Sequence, residues 1–137
     1  MKKIQGIDIS HWQGKADFKK IKEAGYDFVI LKAGGSDRGF YEDKTFKRNY
    51  EAAKKAGMHI GAYYFVGSQF YGSESGVADA KRFIKIIGEC QLDYPVFLDV
   101  ERASFDRPLS FSIKLLIVII AWSRFSSIHL KLQVKLI

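Results

Sequence analysis

The sequence predicts an α/β fold in which about four strand–helix units build a parallel sheet. Two observations predict it: short runs rich in β-branched and aromatic residues alternate with amphipathic segments, and glycines punctuate the segment ends. Strands joined through helices form right-handed crossovers and lie parallel. Four such units fit half of a barrel or a small open sheet. The 137 residues have ordinary globular composition and are enough for one domain with a core.

The spacing of apolar residues and the residues that cap or end helices predict the first two strand–helix units. A first strand is predicted over residues 4–9, and a helix over 18–24 begins after Asp17, whose side chain can cap it. Gly25 stands where a helix C-terminus favours a left-handed residue. The second strand, 28–31, is the continuous apolar run typical of a strand buried on both faces.

The later units repeat this pattern, with longer helices. The predicted segments are, in order, a loop over 34–43, a helix over 45–56 ended by Gly57, a strand over 60–66, a helix from serine caps at Ser73 and Ser75 to about Gly88, and a strand over 94–100. Their apolar residues follow helical or strand spacing in turn, which extends the parallel sheet to four strands.

The composition changes sharply after Glu101. Residues 1–101 hold 16 Lys and Arg against 14 Asp and Glu and contain all 12 glycines, whereas residues 102–137 hold 6 Lys and Arg against Asp106 alone. Most of the net charge of +7 therefore belongs to the tail. The first part is nearly balanced and has no basic run longer than two residues, so nucleic acid is not an expected partner. We predict two segments, 1–101 and an aberrant tail over 102–137.

Several further classes find no support in the sequence. No apolar stretch after Met1 has the length of a signal-peptide core, so no signal peptide is predicted in this sequence. The uncharged stretch 115–123 is too short to span a bilayer. Cys90 is the only cysteine and has no ligand partner at metal-binding spacing, which predicts a buried or partly buried thiol, no metal site and no cofactor.

Three carboxylates stand at predicted strand ends. Asp99 and Glu101 are two residues apart, so on a strand they share a face with Cα atoms about 6.5 Å apart. Catalytic groups gather at the C-terminal strand ends of parallel β/α folds, and two close carboxylates can separate their pKa values into an acid and an ionised group. Asp8 lies between apolar residues at the end of the first strand. The alternative interpretation of Asp99 and Glu101 is a pair of solvated carboxylates at a loop start, and that of Asp8 is a helix or loop cap.

An ordered set of motifs resembles glycoside hydrolase family 25, the muramidases known as Chalaropsis-type lysozymes. The motifs are GIDISHWQG (6–14), FVILKA (28–33), AAKKAG (52–57) after Asn49, GAYYF (61–65) and PVFLDVE (95–101). Each is weak alone, but they follow in order over residues 4–101. The resemblance implies an irregular β/α (TIM-like) barrel, here incomplete, that cleaves the β-1,4 bond between N-acetylmuramic acid and N-acetylglucosamine in peptidoglycan.

The resemblance also implies roles for individual residues. Glu101 would be the general acid, Asp99 would stabilise developing positive charge or the substrate acetamido group, and Asp8 would be a further acid at the sugar site. The implied substrate-binding residues are Tyr63, Tyr64, Trp12, Lys32 and His11. The aromatic members are open to a second interpretation as core residues, and the lysine as a side chain that only reaches to solvent. The partner would be a glycan strand of the bacterial cell wall, reached as an extracellular enzyme or a phage-type lysin.

The tail departs from the family pattern. The family domain continues through further strand–helix units to an Asp-x-Trp-Gln-Tyr-like motif, which residues 102–137 lack. Our hypothesis is that the native reading was lost near residues 102–108 by a frame change, recombination or a mis-called gene end. Muramidase activity is then expected to be weak or lost. A non-catalytic peptidoglycan-binding remnant is one alternative, and a β/α module whose basic tail contacts nucleic acid or anionic lipid is another.

Overall fold

The computed structural model describes residues 4–67, 72–100 and 133–136. Its elements are, in chain order, β1 (Gly6–Ile9), a 3-10 helix (His11–Gln13), α1 (Phe18–Glu23), β2 (Phe28–Gly35), β3 (Tyr41–Glu42), α2 (Phe46–Lys55), β4 (His59–Phe65), α3 (Gly72–Ile87), β5 (Val96–Val100) and β6 (Gln133–Leu136). The four predicted strands and three predicted helices are all present.

The strands form one sheet in the order β1-β2-β4-β5-β6, and every neighbouring pair in this order is parallel. The short β3 pairs antiparallel with the end of β2. The prediction of an α/β fold with a parallel sheet is therefore confirmed. Among the described strands the sheet is not closed, because β1 and β6 stand at its two edges without pairing to each other.

The helix ends follow from local chemistry. The Asp17 side chain accepts a hydrogen bond from the Lys20 amide at 3.2 Å, which caps α1 as predicted. Gly25 and Gly57 follow α1 and α2 with φ of 94° and 68°, in the left-handed region that a residue with a Cβ rarely adopts. Both helices therefore end at the glycines that the sequence indicates.

Two predictions need correction. The third helix begins at Gly72, so Ser73 and Ser75 lie inside it and neither is its N-cap. The segment 34–43 is not only a loop, because β2 continues to Gly35 and β3 returns along it. A Cβ at Gly35 would come within 2.7 Å of the Tyr41 hydroxyl and 2.9 Å of the Phe65 carbonyl, so glycine allows this close packing.

The core lies between the sheet and the helices. Its fully buried side chains include Tyr64, Phe46, Phe83, Leu31 and Val29. Cys90 is partly buried, as predicted, and its thiol lies 3.6 Å from the Lys47 amine. In the described parts of the chain, no helix is long and apolar enough to cross a membrane.

The predicted tail contributes one described element. β6 pairs in parallel with β5, with Leu98 opposite Val134. The aliphatic run 115–120, Asp106, Trp122 and His129 lie outside the described residues.

Candidate active site

The register of the sheet sorts the strand side chains onto two faces. Residues paired across parallel strands share a face, and successive residues alternate. Lys32 pairs with Tyr63, and Phe65 pairs with Asp99. Asp8 pairs with Ile30, which precedes Lys32 by two residues. Asp8, Lys32, Tyr63 and Asp99 therefore share the face opposite to that of Val29, Leu31 and Tyr64.

Tyr63 lies between the acidic residues of this face. Burial raises the pKa of its phenol, and the negative charges of Asp8, Asp99 and Asp43, in that order, raise it further. A hydrogen bond with the Ser10 side chain acts in the opposite direction. The strand-end carboxylates of β1 and β5 thus act on one phenol, although two other strands separate β1 from β5 in the sheet.

Lys32 is buried among aromatic rings, with 8% of its surface exposed. Its amine lies 4.5 Å from the centre of the Phe65 ring, 5.6 Å from that of Tyr41 and 5.9 Å from that of Tyr63. Aromatic faces attract a cation at these distances. Within the described residues no carboxylate lies within 4.0 Å of the amine, so the rings stabilise a positive charge on the same face as Asp8 and Asp99.

His11 is held by a buried carboxylate from another part of the chain. Its backbone amide donates to the Asp43 Oδ2 at 2.9 Å, and its ring Nδ1 lies 2.8 Å from the same oxygen. Thr45 donates to the Oδ1 from its amide at 2.8 Å and from its hydroxyl at 2.7 Å. Burial opposes ionisation of Asp43, but the hydrogen bonds from Thr45 and His11 outweigh it and lower the pKa of the carboxyl.

A groove opens beside this pair. It has a volume of about 260 Å³ and is lined by His11, Trp12, Lys32, Asp37, Arg38 and Tyr41. The Trp12 side chain leaves 71% of its surface in solvent, and its ring centre lies 4.6 Å from that of His11. An exposed indole beside polar groups is suited to stacking against the apolar face of a sugar ring.

One wall of the groove is fixed by Tyr41, whose hydroxyl donates to the Asp37 carboxylate at 2.7 Å. Burial, followed by this hydrogen bond, raises the pKa of the Tyr41 phenol, so the phenol remains a hydrogen-bond donor. Arg38 lies 3.6 Å from the same carboxylate. Across the described part of the chain, no three His, Cys, Asp or Glu side chains are grouped to hold a metal ion.

Comparison with known families shows to which family the chain belongs. The family of glycosyl hydrolases family 25 matches residues 7–114. This chain belongs to that family.

Two lysozymes are among the relatives of this chain. The chain is 38% identical over 101 residues to "Lysozyme M1" of Streptomyces globisporus, and 37% identical over 98 residues to the "Autolytic lysozyme" of Clostridium acetobutylicum. Each match covers 72% of this chain but only 33% and 28% of the two relatives. The chain therefore spans about a third of the length of these curated relatives.

A solved bacterial lysozyme has a similar fold. The bacterial lysozyme from Streptomyces coelicolor superimposes with a TM-score of 0.77 at 29% sequence identity, covering 97% of this chain and 63% of that one. The family match also reaches residue 114, beyond the boundary at Glu101 that the motifs indicate.

The structure brings together most of the predicted family 25 site residues. Asp8 and Asp99 lie near Tyr63, and Lys32 contacts the Tyr63 ring. His11 and Trp12 line the adjoining groove with Lys32. Glu101 lies outside the described residues, so its predicted role still depends on the sequence.

The structure corrects the placement of Tyr64. It lies on the helix side of the sheet, 1% exposed, with its hydroxyl donating to Asp79 at 3.1 Å and its ring centre 5.4 Å from that of Phe83. Tyr64 is a core residue because successive strand residues face opposite ways, and its neighbour Tyr63 occupies the acidic face. The alternative interpretation of this aromatic as core is the correct one.

Sequence reasoning missed the supporting residues of the site. Asp43 lies two residues before Thr45 and looks locally like a helix-capping acid, which gives no sign of its contact with His11. Ser10 and Gln13 form a capping box around the 3-10 helix, and their spacing is a recognisable signal for it. The Asp37 and Tyr41 pair carries no comparable signal.

Proposed function

We propose that this chain carries the N-terminal part of a muramidase catalytic domain. The reaction is hydrolysis of the β-1,4 bond between N-acetylmuramic acid and N-acetylglucosamine in peptidoglycan. The observation that supports it is the convergence of Asp8 and Asp99, from two non-adjacent strands, on the Tyr63 phenol beside a groove with an exposed tryptophan. Family membership supports the same reaction class, because the relatives named above are lysozymes.

The proposed roles follow the chemistry of the glycosidic bond. Glu101 donates a proton to the leaving oxygen, so the departing sugar leaves as an alcohol. Asp99 carries the negative charge that stabilises the positive charge growing at the anomeric carbon, or that orients the substrate acetamido group. Asp8 adds a second negative charge on this face. Because the acetamido group itself takes part, the separation of the carboxylates does not determine the stereochemical outcome here.

The groove supplies binding groups for the glycan strand. Trp12 offers a stacking surface, while His11 and Lys32 offer polar atoms in the same groove. Tyr63 lies next to Lys32 on the adjoining sheet face. The partner is the glycan of a bacterial cell wall, and the wall is where the enzyme acts. The positive charge of Lys32 also stabilises the negative charges of Asp8 and Asp99 on the same face.

We further propose that the hydrolytic activity of this chain is weak. The described sheet is open, and β1 and β6 leave unpaired edges. A parallel β/α barrel builds its active site from loops around the whole circumference, so an open sheet lines the substrate from one side. Loss of binding groups on the open side lowers the stabilisation of the transition state.

The test is lysis of purified bacterial walls, measured as the loss of turbidity and the release of reducing sugar. We expect the wild-type chain to reduce the turbidity slowly and Glu101→Gln to abolish this loss. Asp8→Asn and Asp99→Asn should lower the rate by about 10- to 1000-fold, which is the range observed when a catalytic acid or a stabilising charge is removed. Glu89→Gln changes an exposed acid in the turn after α3 and is the matched control.

Three results would contradict parts of the proposal. Wall binding in a pull-down with no reducing sugar released, even after long incubation, would identify a non-catalytic binding remnant. Lysis as fast as that of a complete family 25 lysozyme would contradict the prediction of weak activity but would still support the proposed reaction. Full activity in Glu101→Gln would remove Glu101 as the acid.

A further inference from the structure

A buried carboxylate that no strand-end motif includes controls one wall of the groove. Asp43 is 32 residues from His11 in the sequence, and its side chain is completely buried. We propose that Asp43 is a positioning residue that holds His11 as the Nδ1–H tautomer, so that Nε2 presents a hydrogen-bond acceptor to a hydroxyl group of a sugar stacked on Trp12. This inference deepens the proposed function and depends on it for the class of ligand.

The first step concerns which atom carries the proton. The Asp43 carboxylate accepts three hydrogen bonds, from the His11 amide and from the Thr45 amide and hydroxyl, at 2.7 to 2.9 Å, and the His11 Nδ1 lies 2.8 Å from it. These hydrogen bonds lower its pKa despite burial, so the carboxylate is ionised and can only accept. The ring atom facing it, Nδ1, must therefore donate its hydrogen.

The second step concerns the other ring nitrogen. A neutral imidazole carries a single N–H, so donation from Nδ1 leaves Nε2 with a lone pair. The His11 side chain is 25% exposed, and the edge near Asp43 is closed off by the buried carboxylate. In the described residues the ring forms no second hydrogen bond. Nε2 is thus the ring atom available to a ligand in the groove.

The third step concerns the ligand. The His11 and Trp12 rings lie 4.6 Å apart with an angle of 34° between them, so a group stacked on the indole lies beside the imidazole edge. Lys32 and Arg38 contribute donors to the same groove, while the Asp37 carboxylate already accepts from Tyr41. A sugar hydroxyl both donates and accepts, so it fits an acceptor at Nε2 facing donors across the groove. An ether or a quaternary ammonium lacks the required donor.

The tautomer is measured on the full, ¹⁵N-labelled chain by long-range ¹H–¹⁵N correlation at about pH 8.5, above the reference pKa of a free imidazole. His11→Phe assigns the His11 signals among the three histidines. We expect a protonated Nδ1 and an unprotonated Nε2. A His11 ring with its proton on Nε2 would overturn the inference.

Binding is measured with N-acetylchitotriose, a soluble oligosaccharide with free hydroxyl groups. We expect the Nε2 signal to shift on addition of this sugar. Asp43→Asn should release the tautomer and weaken binding about tenfold, and His11→Phe should weaken it by a similar factor, as expected for one lost hydrogen bond with a buried partner. No binding to the wild-type chain, or unchanged binding in both variants, would contradict the acceptor role.

A second histidine and carboxylate pair provides the matched control. His59 and Asp93 lie 3.8 Å apart at the opposite end of β4, with side chains 61% and 51% exposed. Asp93→Asn removes a carboxylate beside a histidine, as Asp43→Asn does, and should leave the His11 tautomer and the sugar affinity unchanged. Equal effects of the two variants would indicate general destabilisation and would overturn the inference.

The outcomes also separate this inference from the proposed function. Sugar binding with the Nδ1–H tautomer, but without wall hydrolysis, would support the Asp43 role and contradict the muramidase reaction. Wall hydrolysis with the proton on Nε2 would do the reverse.

Discussion

Tyr64→Phe tests whether Tyr64 belongs to the core or to the groove. The hydroxyl donates to the Asp79 Oδ1 at 3.1 Å, and the Ser36 hydroxyl donates to the Oδ2 at the same distance. Asp79 is 4% exposed, and within the described residues its carboxylate accepts hydrogen bonds from these two hydroxyls. The Ser36 oxygen in turn accepts from the Gly67 amide at 2.9 Å. The substitution removes one oxygen atom from this network and leaves the ring in place.

The magnitude follows from what the substitution leaves behind. No apolar surface is lost, because the phenyl ring keeps its packing against Phe83. One hydrogen bond to a carboxylate disappears, and among the described residues the buried acceptor keeps the bond from Ser36. A bond of this kind contributes about 1.5 to 3 kcal/mol to the free energy of unfolding. With a urea m value of about 1 to 3 kcal/mol per M, a loss near 2 kcal/mol lowers the midpoint by about 1 M.

The pH dependence has a definite sign. Burial raises the pKa of Asp79 above its ordinary value of 3.8, while the bonds from Tyr64 and Ser36 act to lower it. A raised pKa in the folded state means that stability is greatest below the ordinary value and declines as the pH rises through the folded value. Tyr64→Phe raises this pKa further. The loss of stability should therefore be small near pH 4 and larger near pH 8.

The assay is urea unfolding at both pH values, together with binding of N-acetylchitotriose. Tyr26→Phe is the matched control, because its half-buried hydroxyl forms no hydrogen bond with the described residues. We expect Tyr64→Phe to lower stability without changing the sugar affinity per folded molecule. A loss below about 0.5 kcal/mol at pH 8, or a loss of affinity with unchanged stability, would refute this reasoning.

Three further predictions address packing, the backbone and charge. Phe83→Ala should lower the free energy of unfolding by about 3 to 5 kcal/mol because the ring is fully buried, whereas Ile84→Ala, at a side chain 41% exposed, should cost much less in the same urea titration. Gly57→Ala should cost about 1 to 2 kcal/mol in thermal unfolding, because φ is 68° and no atom crowds the added Cβ; an unchanged melting temperature would contradict a backbone origin. Asp8→Asn should lower the pKa of the Tyr63 phenol because a neighbouring negative charge is removed. The ionisation is measured by ultraviolet absorbance, and a rise in the pKa would show that Asp8 does not act on this phenol.

The order and type of the main elements could be predicted because their signals are local. Asp17 caps its own helix, Gly25 and Gly57 end theirs, and the apolar run 28–31 has the length and continuity of a buried strand. Asp8 and Asp99 were also accessible to sequence reasoning, since a carboxylate at the end of an apolar strand is unusual in itself. The start of α3 could not be predicted, because serines inside a helix and serines that cap a helix look the same in the sequence.

The sequence by itself determined an α/β chain with a parallel sheet, acids at two strand ends and the motifs of family 25. The tertiary structure decided which neighbouring tyrosine faces the acids, because the register of β4 against β2 and β5 assigns Tyr63 and Tyr64 to opposite faces. It also decided the partner of His11, because a contact between residues 32 positions apart leaves no periodic trace in the sequence. Interactions between residues close in sequence determine the helices and strands, whereas the site forms only when those elements pack together.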